Sequence, residues 1–120
     1  VKTVLVVDDE ALILDLIATA LEEAGYRVLR AAHGIKAMDV LAAERPDLIV
    51  TDYMMPLMNG QELAVAVRSD PQHIALPIIL LSGAQSFLAR GRRDLFDAVF
   101  EKPFDVDELT AEVANRIGAA

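Results

Sequence analysis

Four short stretches of this sequence hold groups that could do chemistry together: Asp8-Asp9-Glu10, Asp52, Ser82-Gly83 and Lys102-Pro103. Each follows an apolar run. If the fold brings them to one place, three or four carboxylates, a hydroxyl and an ammonium share a small pocket. Carboxylates a few ångströms apart repel one another, and one is normally protonated. Keeping all of them charged requires a cation, and a hard divalent ion with oxygen ligands is the natural solution. The two histidines, His33 and His73, lie on other segments, so the donor set favours Mg2+ over a transition metal. With that ion bound, a carboxylate becomes a nucleophile towards phosphorus and forms an aspartyl phosphate. Phosphoryl transfer asks mainly for positioning and charge neutralisation, which Mg2+, Lys102 and Ser82 would supply.

Taken singly, each residue has a plainer role. Asp8 or Asp9 would cap a following helix. Asp52 and Ser82 would be turn residues, Lys102 a solvated charge and Pro103 a strand stop. The joint reading therefore depends on the elements that carry these residues.

Short β-branched runs occur at Thr3–Val7, Arg27–Ala31, Leu48–Thr51, Pro77–Leu81 and Ala98–Phe100. Helical stretches lie between and after them, at Glu10–Ala24, Ile35–Ala43, Gln61–Ser69, Gln85–Leu95 and Val106–Ile117. In the first helix, Ile13, Leu16, Ile17, Ala20, Leu21 and Ala24 make an apolar stripe, and Gly25 stands where the residue after a helix cap would. The last helix opens on Asp105-Val106-Asp107-Glu108, like a capping box, and carries Leu109, Val113 and Ile117 on one face. Five strands alternating with five helices read as βαβ units, and the unbroken apolar run Ile78–Leu81 suits a strand covered on both faces. The expected fold is an α/β, three-layer, doubly wound sandwich around a five-stranded parallel sheet. Ligands bind such sheets beyond the carboxyl ends of the strands, where all four stretches fall.

The 120 residues form one expected domain spanning the whole chain, 1–120, without repeats or linkers. A net charge of −8 opposes direct binding to nucleic acid or to an anionic membrane surface. The apolar runs are far shorter than the ~20 residues of a membrane span, and no signal peptide is recognisable. Cysteine is absent, which excludes disulfides, thiolate metal sites and cysteine nucleophiles and fits a cytoplasmic location. The first residue is Val rather than Met, as expected of a domain taken from a longer protein.

The segments Val6-Val7-Asp8-Asp9-Glu10, Asp52-Tyr53-Met54-Met55-Pro56-Leu57-Met58-Asn59-Gly60, Leu81-Ser82-Gly83-Ala84 and Lys102-Pro103-Phe104 occur in that order. In them the chain resembles the receiver domain of bacterial two-component response regulators, over essentially its whole length. The resemblance implies a flavodoxin-like strand order 2-1-3-4-5. It implies that Asp52 is the phosphoacceptor, charged by a histidine kinase or a histidine phosphotransfer protein. It makes Asp9 a direct Mg2+ ligand (Mn2+ being an alternative ion), Asp8 a ligand through water, and the backbone carbonyl of Met54 the remaining protein ligand. Ser82 matches the hydroxyl that meets the phosphoryl group, Lys102 the lysine that pairs with its oxygens, and Pro103 the residue after a cis peptide bond. Gly60 would turn the loop into the third helix with a positive φ. The implied output is a conformational switch acting on a linked domain or downstream protein, with phosphorylation-dependent homodimerisation as a family option. Such a domain promotes its own phosphorylation and dephosphorylation and has no separate turnover substrate.

One position departs from the family pattern. Val99 stands where an aromatic usually swings as the hydroxyl moves, and strand alternation puts the side chain of Phe100 on the opposite face. Arg90, Arg92 and Arg93 form a basic cluster in an otherwise acidic chain. Together these motivate an alternative, a receiver-shaped interaction module that works without phosphorylation. An aspartyl-phosphate phosphatase is disfavoured because Met54 stands where its second acid would be. A flavin site is disfavoured because three acids occupy the place of a phosphate loop after the first strand.

Overall fold

The computed structural model describes residues 1–83 and 91–120. Five strands form one wholly parallel sheet: β1 (Thr3–Val7), β2 (Arg27–Ala31), β3 (Leu48–Asp52), β4 (Ile78–Ser82) and β5 (Ala98–Glu101), in the order β2-β1-β3-β4-β5. The described residues hold four helices, α1 (Ala11–Glu23), α2 (Gly34–Ala43), α3 (Gly60–Arg68) and α4 (Val106–Ile117). The helix expected over Gln85–Leu95 lies largely outside the described residues, and its described end, from Gly91, is a series of turns.

The composition of each strand follows its place. β1, β3 and β4 are buried at every position, because helices cover both faces of the sheet centre. The edge strands β2 and β5 are only partly covered, and β2 accordingly carries Arg27 and Arg30. Side chains alternate between two cores. Leu5, Val7, Ile49, Ile78 and Leu80 meet α2 and α3 through Ala37, Leu41, Leu63, Ala64 and Val67. Val4, Val6, Leu48, Val50, Ile79 and Leu81 meet α1 and α4 through Ile17, Leu21, Leu109 and Val113.

Local signals set the helix ends. Gly25, with φ +100°, closes α1 in a Schellman arrangement, its N–H donating to Glu22 O and that of Tyr26 to Leu21 O. Asn59 and Glu62 form a reciprocal capping box on α3. The Asp105 carboxylate caps α4 by accepting from the N–H groups of Asp107 and Glu108. The buried stripe of α1 is narrower than the periodicity implies: Ile17, Ala18 and Leu21 are buried, whereas Leu16 and Ala24 are exposed. Leu16 turns instead to a groove beside α1, lined also by Ile13, Pro103 and Phe104.

At the amino edge of the sheet, Arg68 joins three segments. Its guanidinium donates to the carbonyls of Ile74, Leu76 and Leu95 and to the Asp97 carboxylate. The same carboxylate oxygen of Asp97 accepts the N–H of Ile78, so β4 and β5 start from one anchored point. That anchorage fixes where their far ends, Ser82 and Lys102, arrive.

Gly60 is needed for a reason other than the one the sequence implied. It does not adopt a positive φ; in this loop that conformation falls on Leu57, at φ +69°. A Cβ on Gly60 would stand 2.4 Å from the Asp52 carbonyl oxygen and 3.0 Å from Tyr53 Cα, so the chain re-enters α3 in direct contact with the end of β3. Because the obstacle is backbone, Gly60→Ala is expected to destabilise the fold by about 1–3 kcal/mol, as overpacking does. Urea denaturation measures this, and a variant matching the wild type would contradict the close approach.

Candidate functional site

The parallel register delivers the chemical groups to one edge. Val7 pairs with Thr51, Asp52 with Leu81 and Ser82 with Glu101, so the chain leaves β1, β3, β4 and β5 side by side. Asp52 ends β3 and is 3% exposed. Its Oδ1 accepts the N–H of Tyr53 at 2.9 Å and lies 2.9 Å from the Lys102 ammonium. Asp8 is wholly buried; its Oδ1 accepts the Glu10 N–H at 2.9 Å, while its Oδ2 has no hydrogen-bond partner. Lys102 Nζ is 3.8 Å from that oxygen and 3.8 Å from Glu10 Oε1. Lys102 is aimed by the backbone, its N–H donating to Ser82 O at 2.8 Å, and the Lys102-Pro103 peptide is cis, as the resemblance implies.

The expected residues are gathered, with one change of emphasis. Asp8, Asp52, Ser82 and Lys102 meet at the sheet edge. Asp9 and Met54 line the cleft with Glu10, Asp52, Gly83 and Lys102. Carboxylate oxygens of Asp8, Glu10 and Asp52 lie within 4.8 Å of one another, whereas Asp9 is exposed and outside that set. Glu10 had no role of its own in the sequence reading. The run of three acids holds no signal that singles it out, because the chain bends at Asp9 and Glu10 as β1 passes into α1. Neither Asp8 nor Asp9 is the cap of α1; that place falls to Glu10, whose side chain makes no capping bond. Ser82 is buried, with Oγ donating to the Gly83 carbonyl at 3.1 Å.

Val99 and Phe100 face opposite layers, as strand alternation requires. Val99 packs with the α2/α3 core, while Phe100 and Phe104 pack with the α1/α4 core. In the basic cluster, Arg92 is paired with Asp94 through two contacts of 2.9 and 2.8 Å, and Arg90 lies outside the described residues.

Burial dominates the electrostatics. It pushes the Asp8 carboxyl up to about 6, with the Asp52 charge adding to the effect and the Glu10 N–H opposing it. Burial also raises Asp52, against the hydrogen bond and charge of Lys102. Burial works to lower Lys102, but the Asp52 hydrogen bond and the charges of Asp52, Asp8 and Glu10 hold its ammonium above the ordinary lysine value. Three clustered carboxylates and an unpartnered buried oxygen offer oxygen ligands of the kind a hard divalent cation takes.

The raised Asp8 carboxyl has a definite consequence for stability. Its proton is held more tightly in the fold than in the unfolded chain, so its ionisation reduces stability as pH climbs from about 4 through about 6. In the presence of a chelator, Asp8→Asn is expected to gain on the wild type by on the order of 2 kcal/mol between about pH 5 and about pH 7.5. Urea denaturation at the two values checks this; an unchanged difference between the proteins would show that Asp8 carries no such strain.

Residues 4–114 match the family model described as the response regulator receiver domain. The phosphate regulon transcriptional regulatory protein PhoB of Pseudomonas aeruginosa is 40% identical over 114 residues, covering 93% of this chain and 50% of that protein. Sporulation initiation phosphotransferase F of Bacillus subtilis is 31% identical over 108 residues, covering 90% of this chain and 87% of the relative. PhoB is representative in one respect: the chain spans about half the length of most of the curated relatives it matches. A crystal structure of a response regulator from Chloroflexus aurantiacus superposes with a TM-score of 0.89 at 31% identity, covering 97% of both chains. The receiver domain of the sensor histidine kinase PA1611 of Pseudomonas aeruginosa, solved with a magnesium ion coordinated in its active-site cleft, superposes with a TM-score of 0.86 at 26% identity and covers 98% of both chains. With the strand order, the acidic cleft and the match along nearly its whole length agreeing, the chain belongs to the response regulator receiver domains of two-component signalling.

Proposed function

We propose that Asp52 accepts a phosphoryl group and that the domain, a single unit over residues 1–120, works as a phosphorylation-driven switch. The observation that carries this reading is the Asp52 carboxylate held 2.9 Å from the Lys102 ammonium, beside a buried Asp8 oxygen that lacks a partner. An Asp52 carboxylate oxygen attacks phosphorus; the O–P bond forms as the bond from phosphorus to the donor's leaving atom breaks, and the leaving group departs with the electron pair. Lys102 then turns to the new phosphoryl oxygens, and the Ser82 hydroxyl meets another of them.

Asp9, Asp52 and the Met54 carbonyl would hold Mg2+, or Mn2+ in its place, with Asp8 reaching it through water. The ion supplies charge neutralisation of the kind that lets carboxylates and an incoming phosphoryl share one cleft. The phosphoryl donor is a histidine kinase or a histidine phosphotransfer protein in the cytoplasm, and the output is a linked domain, a downstream protein or a phosphorylation-dependent homodimer. The net charge of −8 supports protein partners over nucleic acid or an anionic membrane surface. Among the described residues, no helix is long and apolar enough to cross a membrane. The domain has no turnover substrate of its own.

Intact-protein mass after incubation with acetyl phosphate tests this. One phosphoryl group is expected with Mg2+ and none with a chelator, while Asp52→Asn takes up none and keeps its circular dichroism. If neither acetyl phosphate nor beryllofluoride modifies the wild type in Mg2+, the phosphoacceptor reading fails. The interaction module without phosphorylation, which Val99 favours, would then replace it.

A further inference from the structure

Glu10 stands at the mouth of the Asp52 cleft, its side chain 65% exposed and its Oε1 3.8 Å from Lys102 Nζ. It occupies the cap position of α1 without making a side-chain capping bond, so its carboxylate is not engaged by the helix. The ammonium it faces is the one paired with Asp52 at 2.9 Å. Glu10 therefore competes with the interior of the cleft for its lysine. It also lines the neighbouring apolar groove with Ile13, Leu16, Pro103 and Phe104, and so stands between that groove and the buried acids.

A charge in this place acts twice on an arriving phosphoryl donor. It repels the anion at short range, in surroundings less screening than bulk water. It also draws on the ammonium that must turn to the phosphoryl oxygens, from 3.8 Å against 2.9 Å for Asp52. A donor presented by a docked protein offsets both effects with contacts made elsewhere on the surface, and a small free donor has no such contacts. Resting on the reading of Asp52 as phosphoacceptor, we propose that Glu10 is a specificity-determining residue that holds back phosphorylation by small, free, dianionic phosphoryl donors.

The probes are acetyl phosphate, a dianion near neutral pH, and phosphoramidate, a monoanion there. At saturating Mg2+ and low salt, Glu10→Gln is expected to speed uptake from acetyl phosphate about threefold to tenfold, from a single charge at close range. The gain with phosphoramidate is smaller, and both gains shrink when added salt rises to about 0.5 M. Glu10→Asp keeps the charge and stays near the wild type, and Glu23→Gln, at the far end of the exposed face of α1, leaves both rates unchanged. Equal gains for the two donors, gains indifferent to salt, or slower uptake would each overturn the proposal. A wild type that takes up no phosphoryl group defeats the phosphoacceptor reading itself, whereas a phosphorylated wild type with an indifferent Glu10→Gln defeats this proposal alone.

Discussion

Lys102 is the only ammonium facing Asp8, Glu10 and Asp52 among the described residues, and the geometry of the cleft depends on how it is shared. Without it, two buried carboxylates would stand side by side with no cation, and burial would protonate one of them. With it, Asp52 keeps a close partner, and Asp8 is left with an oxygen that nothing satisfies. The cleft is thus neither a relaxed ion pair nor a neutral cavity. It is an acid-rich site with one ammonium among three carboxylates, an arrangement that favours cations over further anions.

A parallel sheet makes this assembly affordable. The strands that end in acids or the serine, β1, β3 and β4, are buried along their whole length, and their apolar contacts stabilise the edge that the charges strain. The opposite edge is tied down by Arg68 and Asp97, which join α3 to the starts of β4 and β5. Lys102 reaches Asp52 because β5 runs in register from that anchored end. Site strain and scaffold order therefore lie at opposite ends of the same strands.

Much of this was legible in the residues. Short β-branched runs placed all five strands within a residue or so, because central strands covered on both faces have little choice of composition. That the acids, Ser82 and Lys102 reach one edge was legible because a parallel sheet sends every strand's carboxyl end the same way. What escaped depends on side-chain direction and close approach. Whether Asp9 or Glu10 turns inward is decided by the torsions where β1 passes into α1, and the run Asp8-Asp9-Glu10 does not reveal them. Gly60 looked like a conformational glycine, but its need arises from the carbonyl of Asp52, a neighbour created by the turn itself. Leu16 fitted the apolar period of α1, yet the helix presents it to the groove beside Phe104 instead of the core.

The route by which a change at Asp52 spreads is constrained by the same packing. Lys102 and Ser82 are joined through the backbone, so a movement of the lysine is shared with the end of β4. The side chains on and after β5 divide between the layers: Val99 lies with α2 and α3, while Phe100 and, beyond the strand, Phe104 lie with α1 and α4. A valine has no ring to swing between two packed positions, and its β-branched side chain is confined to few rotamers. Phe104 lines a groove with Lys102 and packs, like Phe100, in the α1/α4 layer. Among the described residues on and after β5, the aromatic packing next to the cleft therefore lies on the α1/α4 side, where Phe104 shares a groove with Leu16.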